Sequence, residues 1–284
     1  MTVCAVEGGG RFASPAYYRR LLSAKAQLWR TTPRFASNWR TWALRRILMP
    51  RVRLRCWIRV GEIRFYLSDD PVDDLVLEGV CASLPDVYFP EVPGAAARSL
   101  CILDVGAHHG FYAVEALRRY PQSTIVAVEP DRTGAALVRK NLARNRLLHR
   151  AEVVEAGIGN GSGRARLQRS PAGSWGSYTV TDSGSQDGRL VSMLPLADLL
   201  RGRRPDLVKC NAEGAEYALV PQMLEMGCRP ELVVLMAHPE YGSVPDLLAA
   251  LRAAGYEITD VSRTERRPRF HARFHKACEP PPRR

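Results

Sequence analysis

A strand–loop–helix alternation that begins at Leu100 restricts the fold of this chain more than any other feature. Short apolar runs at Leu100–Val105, Thr124–Glu129, Glu152–Ala156, Leu207–Asn211 and Leu232–Ala237 read as strands buried on both faces. Helical spacing follows over residues 109–119, 131–145, 213–225 and 244–253. This alternation predicts a doubly wound, mainly parallel sheet, and right-handed crossovers then put helices on both of its faces. Residues 256–262 and 269–274 read as a closing hairpin around a charged turn. Between residues 157 and 195 the periodicity fails. Gly, Ser and Arg dominate there, with Trp175 and Tyr178 embedded, so an irregular segment is expected.

Ahead of the alternation lies a different kind of chain. After fifteen Gly-rich residues, Tyr18, Leu21, Leu22, Leu28 and Trp29 fall at near-helical spacing over Tyr17–Arg30. Trp39, Trp42, Ala43, Ile47 and Leu48 repeat the pattern before Pro50 closes it. Val52–Leu67 alternates around Gly61-Glu62, a hairpin signal, and Asp70–Tyr88 reads as one further helix. The expected organisation is a basic helical and β-hairpin N-terminal extension over 1–95, a doubly wound domain over 96–276 and a flexible tail over 277–284.

Charge follows the same division. Residues 1–60 hold thirteen Arg and Lys against one acid, Glu7, which equals the +12 of the whole chain. Such asymmetry suits nucleic acid, an anionic membrane surface or a solvated face. Hydrophobic residues at 46% permit a sizeable core, but no apolar run reaches the roughly 20 residues a membrane-spanning helix needs. The first ten residues lack the apolar stretch of a secretory leader. Cys4, Cys56, Cys81, Cys101, Cys210, Cys228 and Cys278 contain no Cys-x-x-Cys pair, which argues against a disulfide framework and a zinc site. The expectation is a reduced, cytoplasmic protein.

The first strand runs into Asp104-Val105-Gly106-Ala107-His108-His109-Gly110, directly before a helix. The first glycine permits a tight turn, and the second lets backbone approach a ligand at the helix N-terminus. The Gly-x-Gly-x-x-Gly of a nicotinamide site is absent. An acid ahead of the glycine loop suits a cofactor carrying a cationic amine, and Glu129, ending the second strand, can accept both hydroxyls of a ribose. A lone strand-end acid often caps the next helix. Two in register do so less often.

These segments, together with Leu207–Glu216, Pro195–Leu200 and Ala237-His238-Pro239, resemble the FkbM family of methyltransferases over about residues 60–274. The resemblance implies a class I, Rossmann-like fold with a seven-stranded, mainly parallel sheet, S-adenosyl-L-methionine as cofactor, and O-methylation of a sugar or natural product. It places Asp104, Gly106, His108, Gly110 and Glu129 around the cofactor. The fourth-strand segment, with Asn211, then faces the transferring methyl. Three positions depart from the family pattern: His108 stands where Asn is usual, Asn211 where Asp is usual, and Met236 where Glu is common.

Methyl transfer from a sulfonium is an in-line displacement, and holding oxygen and methyl in line can supply roughly 7–11 kcal/mol. An alcohol must also lose its proton, for which a positioned base adds about 10²–10⁴-fold. With Asn211 and Met236 neutral, elimination leaves His238 as general base and Glu213, opening the fourth helix, as the group that orients or polarises it. Glu216 lies farther from the strand end, and Glu240 is expected to point away. The plainer roles are charge compensation at a helix N-terminus for Glu213 and core packing for His238. His108 and His109 join no third ligand at metal-site spacing, so no metal is expected.

Three function classes follow: an O-methyltransferase for a sugar, glycolipid or natural-product hydroxyl, a catalytically impaired relative, and an RNA-modifying or RNA-binding protein. Nucleic acid is the weaker partner, because the basic–aromatic pairs recur at helical spacing and no RNA-binding motif appears. The N-terminal helices suit a lipid-linked acceptor on an anionic membrane, a cover over the active site, or a homodimer contact. On this reading residues 1–50 are dispensable for folding and cofactor binding.

Overall fold

The structure, a computed structural model, describes residues 36–48, 55–68, 72–169, 178–181, 188–262 and 267–275. The helix expected over 17–30, Trp175, the charged turn at 263–266 and the tail at 277–284 lie outside the described residues. The chain divides into two compact units, residues 1–85 and 86–284.

In the first unit, helix α1 (Trp39–Leu48) precedes the hairpin β1 (Cys56–Val60) and β2 (Ile63–Leu67). Gly61, with φ +58°, turns the hairpin. Period-two alternation buries Ile58, Phe65 and Leu67 on one face. Two polar side chains of α1 are buried as well. Trp42 Nε1 donates to Asp74 Oδ1 at 2.9 Å, and Arg45 Nη1 meets the same oxygen at 2.5 Å. The other Arg45 nitrogen donates to the Ser68 carbonyl, and the Ser68 N–H donates to Asp73. This network fixes α1 to the hairpin's exit and to helix α2 (Val72–Glu78).

The single helix expected over Asp70–Tyr88 is interrupted. After α2 the chain widens into a π-turn over Gly79–Ser83, closed by Leu84 N–H on the Gly79 carbonyl at 3.0 Å, and a one-turn helix α3 (Pro85–Tyr88) follows. Pro85 is the cause. It has no N–H to continue the ladder and excludes helical geometry at Leu84, which sits at φ −132°, ψ 34°.

The second unit carries the doubly wound sheet: β3 (Cys101–Val105), β4 (Thr124–Val128), β5 (Ala151–Val154), β10 (Leu207–Cys210), β11 (Leu232–Met236), β12 (Tyr256–Asp260) and β13 (Arg269–Phe274). Their order is β12-β13-β11-β10-β3-β4-β5, seven strands, with only β13 antiparallel to its neighbours. Helices α4 (Phe111–Arg119), α5 (Arg132–Arg144), α6 (Leu196–Leu200), α7 (Glu216–Glu225) and α8 (Val244–Ala253) are its crossovers and cover. Leu103, Val105, Val126, Val208, Cys210, Val233 and Leu235 form one buried cluster with α6, α7 and α8. Residues 86–95, read from sequence as part of the extension, belong to this unit: Phe89 stacks on Tyr112 at 4.9 Å, and His271 Nε2 lies 2.9 Å from the Val87 carbonyl.

The segment expected to be irregular is instead a second sheet of four strands: β6 (Gly157–Ile158), β7 (Gly163–Arg169), β8 (Tyr178–Thr181) and β9 (Arg189–Leu194), in the order β6-β9-β7-β8. Ala165 and Leu167 are buried while Arg164 is exposed, so the alternation is present but each apolar position stands alone between charges. That pattern is hard to separate from a polar loop. Among the described residues, no helix is long and apolar enough to cross a membrane.

Candidate active site

From β3 the chain winds outward through β4 to β5 and then returns to β10 on the other side of β3. The switch point between β3 and β10, at the carboxyl ends of the strands, is where open α/β sheets bind ligands. The candidate residues gather at that edge, Asp104 near the end of β3 and the others just past β3, β4, β10 or β11.

The β3 loop is built tightly. Gly106, at φ +75°, has no room for a side chain, because a Cβ would lie 2.2 Å from the Asn211 carbonyl oxygen. The glycine loop therefore rests directly on the loop after β10. At Gly110 the corresponding space is taken by Val138 of α5, 3.0 Å away, so this glycine serves helix packing. His108 adopts φ +53°, and its ring stacks on His109 at 3.8 Å. Histidine tolerates the left-handed region better than most residues, as does the Asn usual in the family.

Asp104 is fully buried, and Lys209 of β10 meets its Oδ1 at 2.8 Å. Lys209 also donates to the Gly106 carbonyl at 2.7 Å. Burial raises the Asp104 pKa, and the Lys209 charge and hydrogen bond oppose the rise. The cation balancing Asp104 thus comes from within the chain, while Asp104 Oδ2 is buried with no hydrogen-bond partner among the described residues. Lys209 carried no role in the sequence reading. Its signal was a lone charge inside the buried strand Leu207–Cys210, in register with Asp104.

Glu129 Oε2 accepts from the His108 N–H at 2.7 Å and Oε1 from the Asp131 N–H at 2.9 Å. Each oxygen keeps a second lone pair. Burial pushes the Glu129 carboxyl up to about 7, against the lowering effect of those two N–H groups. Gly134 leaves the room that this side chain occupies, since a Cβ there would lie 2.9 Å from Glu129 Cγ.

On the other side of the switch point stands an acid–imidazole cluster. His238 follows β11 and is fully buried. Its Nδ1 lies 2.8 Å from Glu216 Oε1, and the same oxygen accepts the His238 main-chain N–H at 2.7 Å. Glu216 Oε2 accepts the Gly214 N–H at 3.0 Å. Among the described residues His238 Nε2 makes no hydrogen bond, and Glu213 Oε1 lies 3.4 Å from it. Arg267 spans Glu213 Oε2 at 3.2 Å and Glu240 Oε1 at 3.0 Å. Burial is the main cause that pushes the Glu216 carboxyl up to about 8.

The structure therefore brings Glu213 and His238 together, as the sequence suggested, but the roles around the ring differ. Helix α7 starts at Glu216, not Glu213, and Glu213 sits in the preceding turn at φ +44°. The carboxylate that holds the imidazole is Glu216, which lies at the strand ends because that turn brings α7 back over them. Glu240 does not point away but shares Arg267 with Glu213.

The sheet order, the switch point and the loops gathered there define a class I methyltransferase fold, Rossmann-like. The chain belongs to the FkbM methyltransferase family: the Methyltransferase FkbM domain profile matches residues 104–258, more than half of the chain. It is similar to Methyltransferase sdnD of Sordaria araneosa, 26% identical over 191 residues, covering 56% of this chain and 74% of that protein. Similar solved structures include an O-methyltransferase family protein from Burkholderia thailandensis, 17% identical with TM-score 0.41, covering 83% of this chain and 68% of that one. Another is M. capricolum TrmK in complex with S-adenosyl-homocysteine, 11% identical with TM-score 0.42, covering 68% of each chain.

Proposed function

We propose that this chain is an S-adenosylmethionine-dependent O-methyltransferase acting on a hydroxyl of a sugar, glycolipid or natural-product acceptor. The observation that carries the reading is the pairing of two clusters at one switch point. The glycine loop with Glu129 lies on one side, and the Glu213–His238–Glu216 cluster lies on the other. When bound, the cofactor supplies a methyl group on a sulfonium.

Two features of the residues fit such a ligand. Among the described residues Asp104 Oδ2 is a buried acceptor without a partner, and Glu129 keeps a lone pair on each oxygen after its main-chain bonds. Glu129 would hold the ribose hydroxyls. Asp104, backed by Lys209, and Asn211 would face the amino-acid end, and the main chain at Gly106, His108 and Gly110 would form the wall. The acid–imidazole cluster supplies what an alcohol acceptor needs, a place for its proton. His238 and Glu213 are the proposed catalytic pair. Asn211 and Met236 take no proton, yet this cluster is intact, which favours an active enzyme over an impaired one.

The proposed setting is cytoplasmic, with the basic N-terminal segment holding the protein at an anionic membrane surface beside a lipid-linked acceptor. Incubating the full chain with methyl-labelled cofactor and a panel of sugar, glycolipid and polyketide-type alcohols tests the reaction. Label should enter an acceptor oxygen, and His238→Asn should lower single-turnover transfer by about 10²-fold or more with cofactor affinity unchanged. Transfer at the wild-type rate by that variant would remove His238 from the mechanism. Label appearing only on nitrogen or carbon would overturn the O-methyl assignment.

A further inference from the structure

The acid–imidazole cluster contains a buried acid, Glu216, that the proposed proton transfer does not use. Glu216 is fully buried, and among the described residues its carboxylate hydrogen-bonds only to nitrogens. Two of these are main-chain N–H donors, from Gly214 and His238, at 3.0 and 2.7 Å. Main-chain N–H groups cannot accept, so they hold Glu216 as the acceptor. The third nitrogen, His238 Nδ1, lies 2.8 Å from the same Oε1, so one proton is shared between that nitrogen and the carboxyl. An imidazole fixed by a carboxylate at one nitrogen presents the lone pair of the other.

That other nitrogen does not reach the surface. His238 is 0% exposed, whereas the Glu213 side chain, 3.4 Å from Nε2, is 15% exposed. Glu213 is also held in a left-handed conformation, at φ +44°, a strain that collects at functional sites. Arg267 fixes its second oxygen. The charged and titratable groups around the imidazole are Glu216 from α7, Glu213 from the turn before it, Tyr241 at 6.4 Å between ring centres, and Arg267 behind Glu213. Tyr217 OH meets only the His238 carbonyl.

We infer that Glu216 is a positioning residue that holds His238 as the Nδ1–H tautomer with Nε2 turned to Glu213, so that the acceptor's proton reaches His238 through Glu213. In that step the acceptor O–H breaks as the proton bonds to a Glu213 oxygen. The proton then moves to the Nε2 lone pair, and the resulting imidazolium lies between two carboxylates. This inference rests on the O-methyltransferase reading for its chemical meaning, but its test does not need the acceptor.

The full-length chain labelled with ¹⁵N-histidine shows by NMR which ring nitrogen carries the proton. As pH rises between about 5 and 8, His238 should lose its proton at Nε2 and keep the one at Nδ1. Loss from Nδ1 first, leaving Nε2–H, would overturn the inference. In Glu216→Leu the Nδ1–H preference should disappear, because no acceptor then faces Nδ1. A folded variant that retains the preference would also overturn it. Should that variant fail to fold, Glu213→Gln decides the second half. Removing the carboxylate beside Nε2 should move its protonation to lower pH and leave Nδ1–H in place. An unchanged titration would rule out the Glu213 route. Calorimetry with S-adenosylhomocysteine on the same sample is independent: no binding there would count against the cofactor reading and leave the tautomer result standing.

Discussion

Glu129 shows how one residue reports on both cofactor and fold. As an acceptor for two ribose hydroxyls it would contribute about 1.5–3 kcal/mol through charged hydrogen bonds. Glu129→Ala should therefore weaken S-adenosylhomocysteine binding by at least tenfold in calorimetry, in a protein that remains folded. The same carboxyl is raised by burial from 4.5 to about 7. A raised carboxyl binds its proton more tightly in the folded state, so its contribution is full below pH 4.5 and is lost as pH climbs through 7. Urea unfolding should accordingly show native stability falling across that window, and less steeply in Glu129→Gln than in wild type. An identical slope in both proteins would mean that this carboxyl titrates normally. Glu216 teaches the opposite lesson about sequence reading. It was set aside because it lies one helical turn from Glu213 in a continuous helix, and only the left-handed turn at Glu213 and Gly214 carries it to His238.

At the scale of elements, the best-determined joint is the one between β3 and β10. Lys209 reaches across the ladder to Asp104 and to the Gly106 carbonyl, so a single buried cation sets both the strand pair and the glycine loop. Removing one partner of a buried pair typically costs about 3–5 kcal/mol, whereas replacing both by apolar groups can be neutral. Lys209→Met should lower thermal stability sharply, and Asp104→Leu combined with it should recover much of the loss. Equal losses in the single and double variants would show that the pair is not coupled. The parallel strands were legible in the sequence because burial on both faces leaves unbroken apolar runs. Their boundaries fell within a residue or two of those expected, and the hairpin turns at Gly61 as expected, with its first strand starting at Cys56 and residues 52–54 outside the described residues. The four-stranded sheet over 157–194 is not legible, because its strands are short and buried Ala165, Leu167 and Val191 stand singly among polar or exposed neighbours. The interruption at Gly79–Ser83 could have been read from Pro85, which sat inside the span assigned to one helix.

At the scale of the whole molecule, the division into two units changes what the N-terminus can be asked to do. The expectation that residues 1–50 are dispensable for folding conflicts with the buried contacts of Trp42 and Arg45 to Asp74. A chain starting at Arg51 loses both donors to a buried carboxylate and should unfold at clearly lower temperature than one starting at Ala36. The shorter deletion separates fold from charge. If the basic N-terminal segment holds the protein at a membrane, full-length protein should sediment with anionic liposomes at low salt, and the chain starting at Ala36 should do so less. Equal sedimentation of the two would exclude residues 1–35 from that role. The second unit is proposed to hold S-adenosylmethionine at its switch point. The most direct test is titration of the full-length chain with S-adenosylhomocysteine by calorimetry, without acceptor or nucleic acid. The expected result is one site of about micromolar affinity that Glu129→Ala weakens. Absence of binding by a folded wild-type chain would contradict the account at its centre.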